Sequence, residues 1–316
     1  MINTLAKTQG KSAADLIQLF RVDCADRRLT AHTVSMYTAY AEHFIEYLRE
    51  RDVDVFAVDR NTLRFYLNDL RTKKLKHASI VKVFTSISAY YDFLVEEDLL
   101  TVNPVQRMRK RYLHSYKEHD ESQTRRIISV EEASKLVNSV LSTRDRVIIL
   151  MLLKTGIRCG ELCSLDVEDI DLPDMTISLK PTAKRSNRIL PIDLETAEVL
   201  GRWLKARETR TKNDKRALFL SNRGERLCTD SVNNLVKRYA ERVGLHNPDS
   251  NRLADRFSPH CARHFFTTVL IRAGMPRDFV KELRGDVRHE AIDIYNHIDK
   301  KELRESYLAH IPQLGI

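Results

Sequence analysis

"SPHCARHFF" (residues 258–266) begins with a Ser-Pro pair that suits a helix start. Ser258 stands at a capping position, and Pro259 suits the first turn, where its missing N–H would have had no partner. His260, Arg263 and His264 follow at i, i+3 and i+4, on one face near the helix N-terminus. Backbone N–H groups and the helix dipole favour an anion there. A metal is the alternative, because His260 and His264 have zinc-compatible spacing and Cys261, Cys159 and Cys163 are further soft donors. Against it, no "HExxH" glutamate is present, and the cysteines stand singly among apolar residues, where Cys behaves as a small hydrophobe.

Three other stretches of the second half belong with this one. "TGIRCGEL" (155–162) places Arg158 just after a glycine that closes the apolar helix "TRDRVIILMLLKTGI", with Glu161 three residues on. An arginine so placed takes an anionic ligand or pairs with Glu161 one turn away. "MTISLKPTAKRSNRILPI" (175–192) alternates like two short strands around a polar turn. Lys184, Arg185 and Arg188 cluster at that turn, either as a solvated tip or as groups that reach a phosphate. "GDVRHEAIDIYNHI" (285–298) holds Tyr295 among Asp286, His289 and His297.

The first half reads as helix after helix. "SAADLIQLFRVDCADR" puts Leu16, Leu19, Phe20 and Cys24 on one face, and Thr30 caps a helix carrying Tyr37, Tyr40, Phe44 and Leu48. Two more helices follow Asp59 and run from residue 78, stopping before Asn103–Pro104. "QRMRKRYLHSYKEHDESQTRR" (106–126) has no apolar periodicity and a dense cationic start, as expected of a linker. Beyond it Ser129 and Glu132 form a capping box, and helices dominate to about residue 310. The expected organisation is an N-terminal extension (1–10), a helical domain (11–107), a basic linker (108–126) and a mainly α domain with a small sheet (127–316).

Composition agrees with that frame. A chain of 316 residues is long for one core, and its net charge of +9 and pI near 9.3 point to a polyanionic partner. No apolar run approaches the roughly 20 residues that span a bilayer, and the N-terminus has no signal core. The five cysteines are odd in number and scattered, which argues for a reducing, cytoplasmic setting.

The order of these elements (Arg, hairpin Lys, His-x-x-Arg, then Tyr) resembles the tyrosine recombinases, the integrase family of site-specific DNA recombinases. "NPV" (103–105) resembles the close of the family's core-binding domain, and "ISVEEASKLV" (128–137) the first helix of its catalytic domain. "TGIRCGELCSL" and "SPHCARHFFTTVLIRAGM" are similar to its two arginine boxes. "ELRGDVRHEAIDIYNHID" (282–299) is similar to the archaeal virus- or plasmid-associated branch.

The resemblance implies a SAM-like helical core-binding domain and a catalytic domain of the DNA breaking-rejoining fold. It also implies chemistry without metal, cofactor or ATP. Arg158 and Arg263 would bind the phosphate oxygens, and His260 would move a proton or bond the phosphate. Lys184, with Lys180 as the fallback, would protonate the leaving 5′ oxygen, and Tyr295 would be the nucleophile. Glu161 would support the first arginine box. Arg107, Arg109, Lys110, Arg111, Arg185 and Arg188 would contact DNA. Asp286 departs from the pattern, because most relatives read "LGH" where this chain reads "RGD". It would pair with an arginine, orient Tyr295, or do little. The partners implied are double-stranded attachment sites, three further copies in a tetramer with the C-terminal tail docked on a neighbour, and an accessory factor. Rival readings are a non-cleaving DNA-binding regulator, a zinc-dependent hydrolase and a type IB topoisomerase.

Overall fold

A computed structural model describes residues 12–113, 125–181, 188–209, 214–286 and 298–316. Lys184, Arg185, Tyr295, the extension 1–10 and linker residues 114–124 lie outside them. The chain forms two compact units, residues 1–118 and 119–316.

In the first unit α1 (Ala13–Asp26) starts at a Ser12–Asp15 capping box, and Thr30 Oγ1 accepts from the Thr33 amide at the head of α2 (Ala31–Arg49). Asp59 caps α3 (Arg60–Thr72), and α4 (His77–Glu96) runs through the middle of the core. The buried face of α1 is Leu16, Ile17, Phe20 and Cys24, so Ile17 replaces the expected Leu19, which is 38% exposed. Rings fill the interior, with Phe44, Tyr47, Tyr66 and Phe84 in a chain of tilted and stacked contacts.

A fifth helix, α5 (Pro104–Tyr112), differs from the sequence expectation of a linker beginning at 106–108. Asn103 caps it, and only Val105 and Met108 turn into the core. Two apolar residues one turn apart hold it down but leave no periodicity to read.

The second unit is built around α7 (Thr143–Thr155), which is buried from Val147 to Thr155. It packs against α6 (Val130–Asn138), α8 (Cys159–Ser164), α9 (Leu194–Glu208), α10 (Thr229–Arg242) and α11 (Pro259–Arg272). Short strands β1 (Ile170–Asp171), β2 (Thr176–Leu179) and β3 (Arg188–Pro191) form an antiparallel sheet in that order, with Ile177 opposite Leu190. The expected hairpin is β2–β3, and β1 is an addition too short to carry a pattern. Helix α12 (Arg277–Arg284) and α13 (Lys300–His310) complete the described elements.

The C-terminal tail, expected on a neighbouring subunit, lies on its own unit in this single chain. Tyr307, fully buried on α13, donates to the Lys154 carbonyl at 3.0 Å, and Lys154 Nζ donates to the Pro312 carbonyl at 2.6 Å. Glu195 accepts the Leu314 amide at 2.9 Å and the Gly315 amide at 2.6 Å, while the Leu314 side chain is buried. Lys154 is 1% exposed and satisfied by Asp193 and Glu195, so one buried ammonium ties α7, α9 and the tail together.

Candidate active site

Two backbone features bring the arginine motifs together. Gly156 ends α7 at φ +59°, and a Cβ there would lie 2.3 Å from the Phe266 ring of α11. The close approach lets the Gly156 carbonyl accept from Arg263 Nη1 at 2.5 Å. Gly285 ends α12 at φ +60°, with room for no Cβ because Arg188 Nη1 would be 2.4 Å away. Only glycine satisfies both the left-handed backbone and the contact.

The turn after α12 then meets both arginines. The Arg284 carbonyl accepts from Arg158 Nη1 at 2.9 Å and from Arg263 Nη2 at 2.7 Å. Asp286 Oδ1 lies 3.3 Å from Arg158 Nη2 and 3.2 Å from Arg263 Nη2. Its other oxygen, Oδ2, is 3.2 Å from Arg284 Nε, an ion pair without hydrogen-bond alignment. Two guanidiniums from separate motifs thus converge on one small region that holds a carbonyl and a carboxylate. Arg263 is 4% exposed; burial, then Arg158 and Arg284, push its pKa down to about 9, which keeps it charged at neutral pH.

Glu161 anchors the cluster from beneath. Its carboxylate accepts the Arg158 amide at 2.9 Å and both ends of Arg188, at 3.1 and 2.9 Å, and lies 3.5 Å from Arg158 Nη1. Burial raises its pKa, but Arg188 and Arg158 outweigh that and hold it below the ordinary glutamate value. Arg188 therefore corrects the sequence expectation. It does not stand on the hairpin to meet DNA: it is 9% exposed, fills the Glu161 carboxylate and donates to the Leu283 carbonyl.

His260 and His264 remain exposed on α11, with their Nε2 atoms 3.1 Å apart, while Arg263 turns inward. Partial burial first, then His264, Arg125, Arg263 and Arg284, lower the His260 pKa, which favours the neutral ring. Ser258 occupies the N-cap, but its hydroxyl bonds no helix amide and lies 3.5 Å from Cys261 Sγ, which corrects its expected capping role. Lys180 is engaged by Asp166 and, at 3.4 Å, by Asp169, and its pKa is raised, chiefly by the Asp166 hydrogen bond. That makes it a poorer proton donor than a free lysine.

Two members of the site were not singled out in the sequence. Arg284, the first letter of "RGD", supplies the shared carbonyl. Arg125, from the basic run, lies 3.4 Å from Ser258 Oγ. No helical period marks either one; the only signal was a cation beside a motif. Among the described residues, no three His, Cys, Asp or Glu side chains gather as a metal-ligand set.

In the first unit Arg107, Lys110 and Arg111 of α5 are exposed, and Arg107 and Arg111 line a groove of about 580 Å³ with Arg60 and Tyr112. Arg60 donates to the Tyr112 hydroxyl at 2.8 Å, which lowers the Tyr112 pKa. Arg109 instead turns back to Thr85 of α4 at 3.0 Å. No described helix is long and apolar enough to cross a membrane.

Residues 117–302 match the phage integrase family, and residues 18–98 its N-terminal SAM-like domain. The chain is 30% identical to the tyrosine recombinase XerC of Pelotomaculum thermopropionicum over 81% of its length and 82% of that protein. It is 26% identical to the XerC of Thermodesulfovibrio yellowstonii, over 88% and 89% respectively. The fold is that of the Tn1549 transposon integrase in complex with a circular intermediate DNA (TM-score 0.68, 18% identity, 92% of this chain and 97% of that one). A lambda integrase dimer bound to a COC′ core site is similar (TM-score 0.66, 17% identity, 92% and 100%). With both units matched and both arginine motifs converging, the chain belongs to the phage integrase family, the tyrosine recombinases that cut and rejoin DNA.

Proposed function

We propose that this protein is a site-specific DNA recombinase that cuts duplex DNA through a 3′-phosphotyrosyl link to Tyr295. The observation that carries the reading is the convergence of Arg158 and Arg263 on the same carbonyl and carboxylate oxygens. Guanidiniums so aimed bind the non-bridging oxygens of a phosphodiester and stabilise the charge that attack adds.

The Tyr295 oxygen forms a bond to phosphorus as the bond to the 5′ oxygen breaks, and Lys184 gives that oxygen its proton. His260, whose lowered pKa favours the neutral ring, takes the tyrosine proton or bonds the phosphate. The phosphotyrosyl bond conserves the energy of the broken linkage, so a 5′-hydroxyl from a second duplex restores the backbone and passes through a Holliday junction. Asp166 and Asp169 engage Lys180, which supports Lys184 as the acid. Arg107, Lys110 and Arg111, with Arg185, contact the DNA backbone.

The partners are double-stranded attachment sites and three further copies of the chain, with an accessory bending or directionality factor, in the cytoplasm at the nucleoid. Tail exchange in such a tetramer requires residues 312–316 to leave their seats on Lys154 and Glu195. A chain truncated after Asp299 that still forms synaptic tetramers would count against exchange. The similarity of residues 282–299 to the archaeal virus- and plasmid-associated branch favours integration or excision of a mobile element. The XerC relatives favour a second reading, resolution of chromosome dimers.

The test mixes the full chain with sheared host DNA in EDTA and sequences SDS-resistant adducts. Adducts are expected from the native chain and none from Tyr295→Phe. Adducts that persist in Tyr295→Phe would defeat the assignment of the nucleophile.

A further inference from the structure

We infer that Asp286 is a displaceable internal anion: in the DNA-free chain its carboxylate fills the seat between Arg158 and Arg263 that a phosphodiester oxygen takes when DNA binds. The inference rests on the reading of these two arginines as phosphate binders.

A single carboxylate oxygen, Oδ1, meets one Nη atom of each arginine, at 3.3 and 3.2 Å. This is the shared, two-guanidinium contact that an oxyanion would make. The two arginines also donate to the Arg284 carbonyl, a backbone group fixed by the end of α12. Their orientation is therefore set by a part that stays and a part that can leave.

The part that can leave is suited to it. The Asp286 amide is held by the Lys281 carbonyl at 3.1 Å, so the backbone position is pinned. The side chain is 30% exposed, so rotation about its own bonds takes the carboxylate toward solvent. Arg263, at 5%, has no such path. Like-charged guanidiniums facing one seat repel each other, and burial deepens the cost, so a carboxylate there holds the cluster together before DNA arrives.

A histidine at this position would add a donor and leave the seat open. The aspartate closes it. An incoming phosphate must compete with a tethered carboxylate at high effective concentration. A phosphate presented by DNA whose flanking backbone is already gripped wins that competition, and a free anion does not. Asp286 is thus a positioning residue that keeps the arginines aligned and excludes small anions.

Calorimetric titration of the full chain with orthophosphate, without DNA, tests this. The variants are Asp286→Asn and Asp286→Ala, with Asp278→Asn on α12 as a control for loss of one negative charge. Both Asp286 variants should bind orthophosphate about tenfold or more tightly than the native chain, a gain the control lacks and one lost again when Arg158→Ala is added. Equal affinity in native and Asp286→Asn chains, or an equal gain in Asp278→Asn, overturns the inference. So does saturable binding to the native chain below about 1 mM, the scale of a tethered competitor, a reading that needs no variant to fold. Adduct formation is a separate readout. A phosphate gain without adducts would keep the internal anion and count against the recombinase reading, whereas adducts without a gain would overturn the internal anion and keep that reading.

Discussion

In the first unit Phe44, Tyr47, Tyr66, Phe84 and Tyr91 pack ring against ring, and the polar residues buried beside them are Thr38, Ser86, Ser88 and Asn103, all neutral. The second unit buries Asp145, Lys154, Glu161, Asp166, Asp193, Arg188, Arg207 and Arg263 as well as an aliphatic core. A helical bundle that only has to present a surface can be held by apolar burial alone. A unit that must keep two guanidiniums aimed at one point needs fixed charges around them, and those need partners in turn. Glu161 serves Arg158 and Arg188 at once in this arrangement.

The largest expected effect is on chemistry. Arg263→Ala should lower the rate of adduct formation by about 10²–10³ or more, the usual loss when one anion-stabilising donor is removed from a reacting centre. Quenched time courses on a substrate defined by the recovered adducts would measure it. A rate within a factor of about three of native would show that the buried cation serves the fold and not the reaction.

Next comes Glu161→Ala, which strips the carboxylate from a buried Arg188 and from the Arg158 amide. Leaving a buried charge uncompensated should destabilise the second unit by about 3–5 kcal/mol in a denaturant titration. The double variant Glu161→Leu/Arg188→Met replaces the pair with apolar volume and should recover most of that loss. If the single variant costs under about 1 kcal/mol, the pair is ornamental and the contrast between the units fails at its centre.

A third test uses acid. Asp166 is held down to about 2: burial raises it, but hydrogen bonds and charges from Lys180 and Arg226 outweigh that. Glu161 and Glu195 are lowered in the same way by Arg188 and by Lys154 with the tail amides. Each carboxylate with a depressed folded-state pKa contributes stability that is present above its unfolded value and lost as pH falls through its folded one. The second unit should therefore lose amide protection between about pH 4.5 and pH 2, the interval between ordinary carboxylates and Asp166. In the first unit Asp59, whose carboxyl is lowered, is an exposed helix cap and the buried polar residues are neutral, so its core amides should stay protected further into acid. Hydrogen exchange resolved by unit would show the order, and simultaneous loss would mean that the two cores answer to the same forces.

The same division explains what the sequence could convey. Where burial is apolar, pattern suffices: the Ser129–Glu132 capping box, the alternation around Ile177 and Leu190, and the buried run from Val147 are legible because their partners lie within a turn or a strand pair. Neighbouring apolar residues blur it, so Ile17 and Leu19 exchange places on α1 with no change in period. Charges whose partners are distant in sequence are not legible. Nothing in "RSNRILP" says that Arg188 turns inward to Glu161, and nothing in "LMLLKTG" says that Lys154 meets Asp193 and Glu195 beneath the tail. The arginines of the site are legible from motif order, and Asp286 as a departure open to an arginine partner; which arginines it meets is not, because that is set only where α12 ends on them.

Helix ends give the smallest and most direct contrast. In the second unit the left-handed residues after α7, α10, α11 and α12 are Gly156, Gly244, Gly274 and Gly285; in the first they are Arg28, Asp52, Lys74 and Asp98, each near φ +55°. From residue 12 to residue 113 the sequence contains no glycine. An L-residue in that conformation crowds its Cβ against the following carbonyl, at a cost of about 1–2 kcal/mol, while glycine gives back part of the gain through the freer unfolded chain. Lys74, at φ 56° after α3, is the cleanest site, because it is exposed and its amide already closes the turn on Arg71. Lys74→Gly should stabilise the first unit by about 0.5–1 kcal/mol, seen as a higher denaturant midpoint at unchanged slope. A lower midpoint would mean that the lysine stem covers apolar surface at that corner, and that the first unit, too, uses a charged residue for something other than charge.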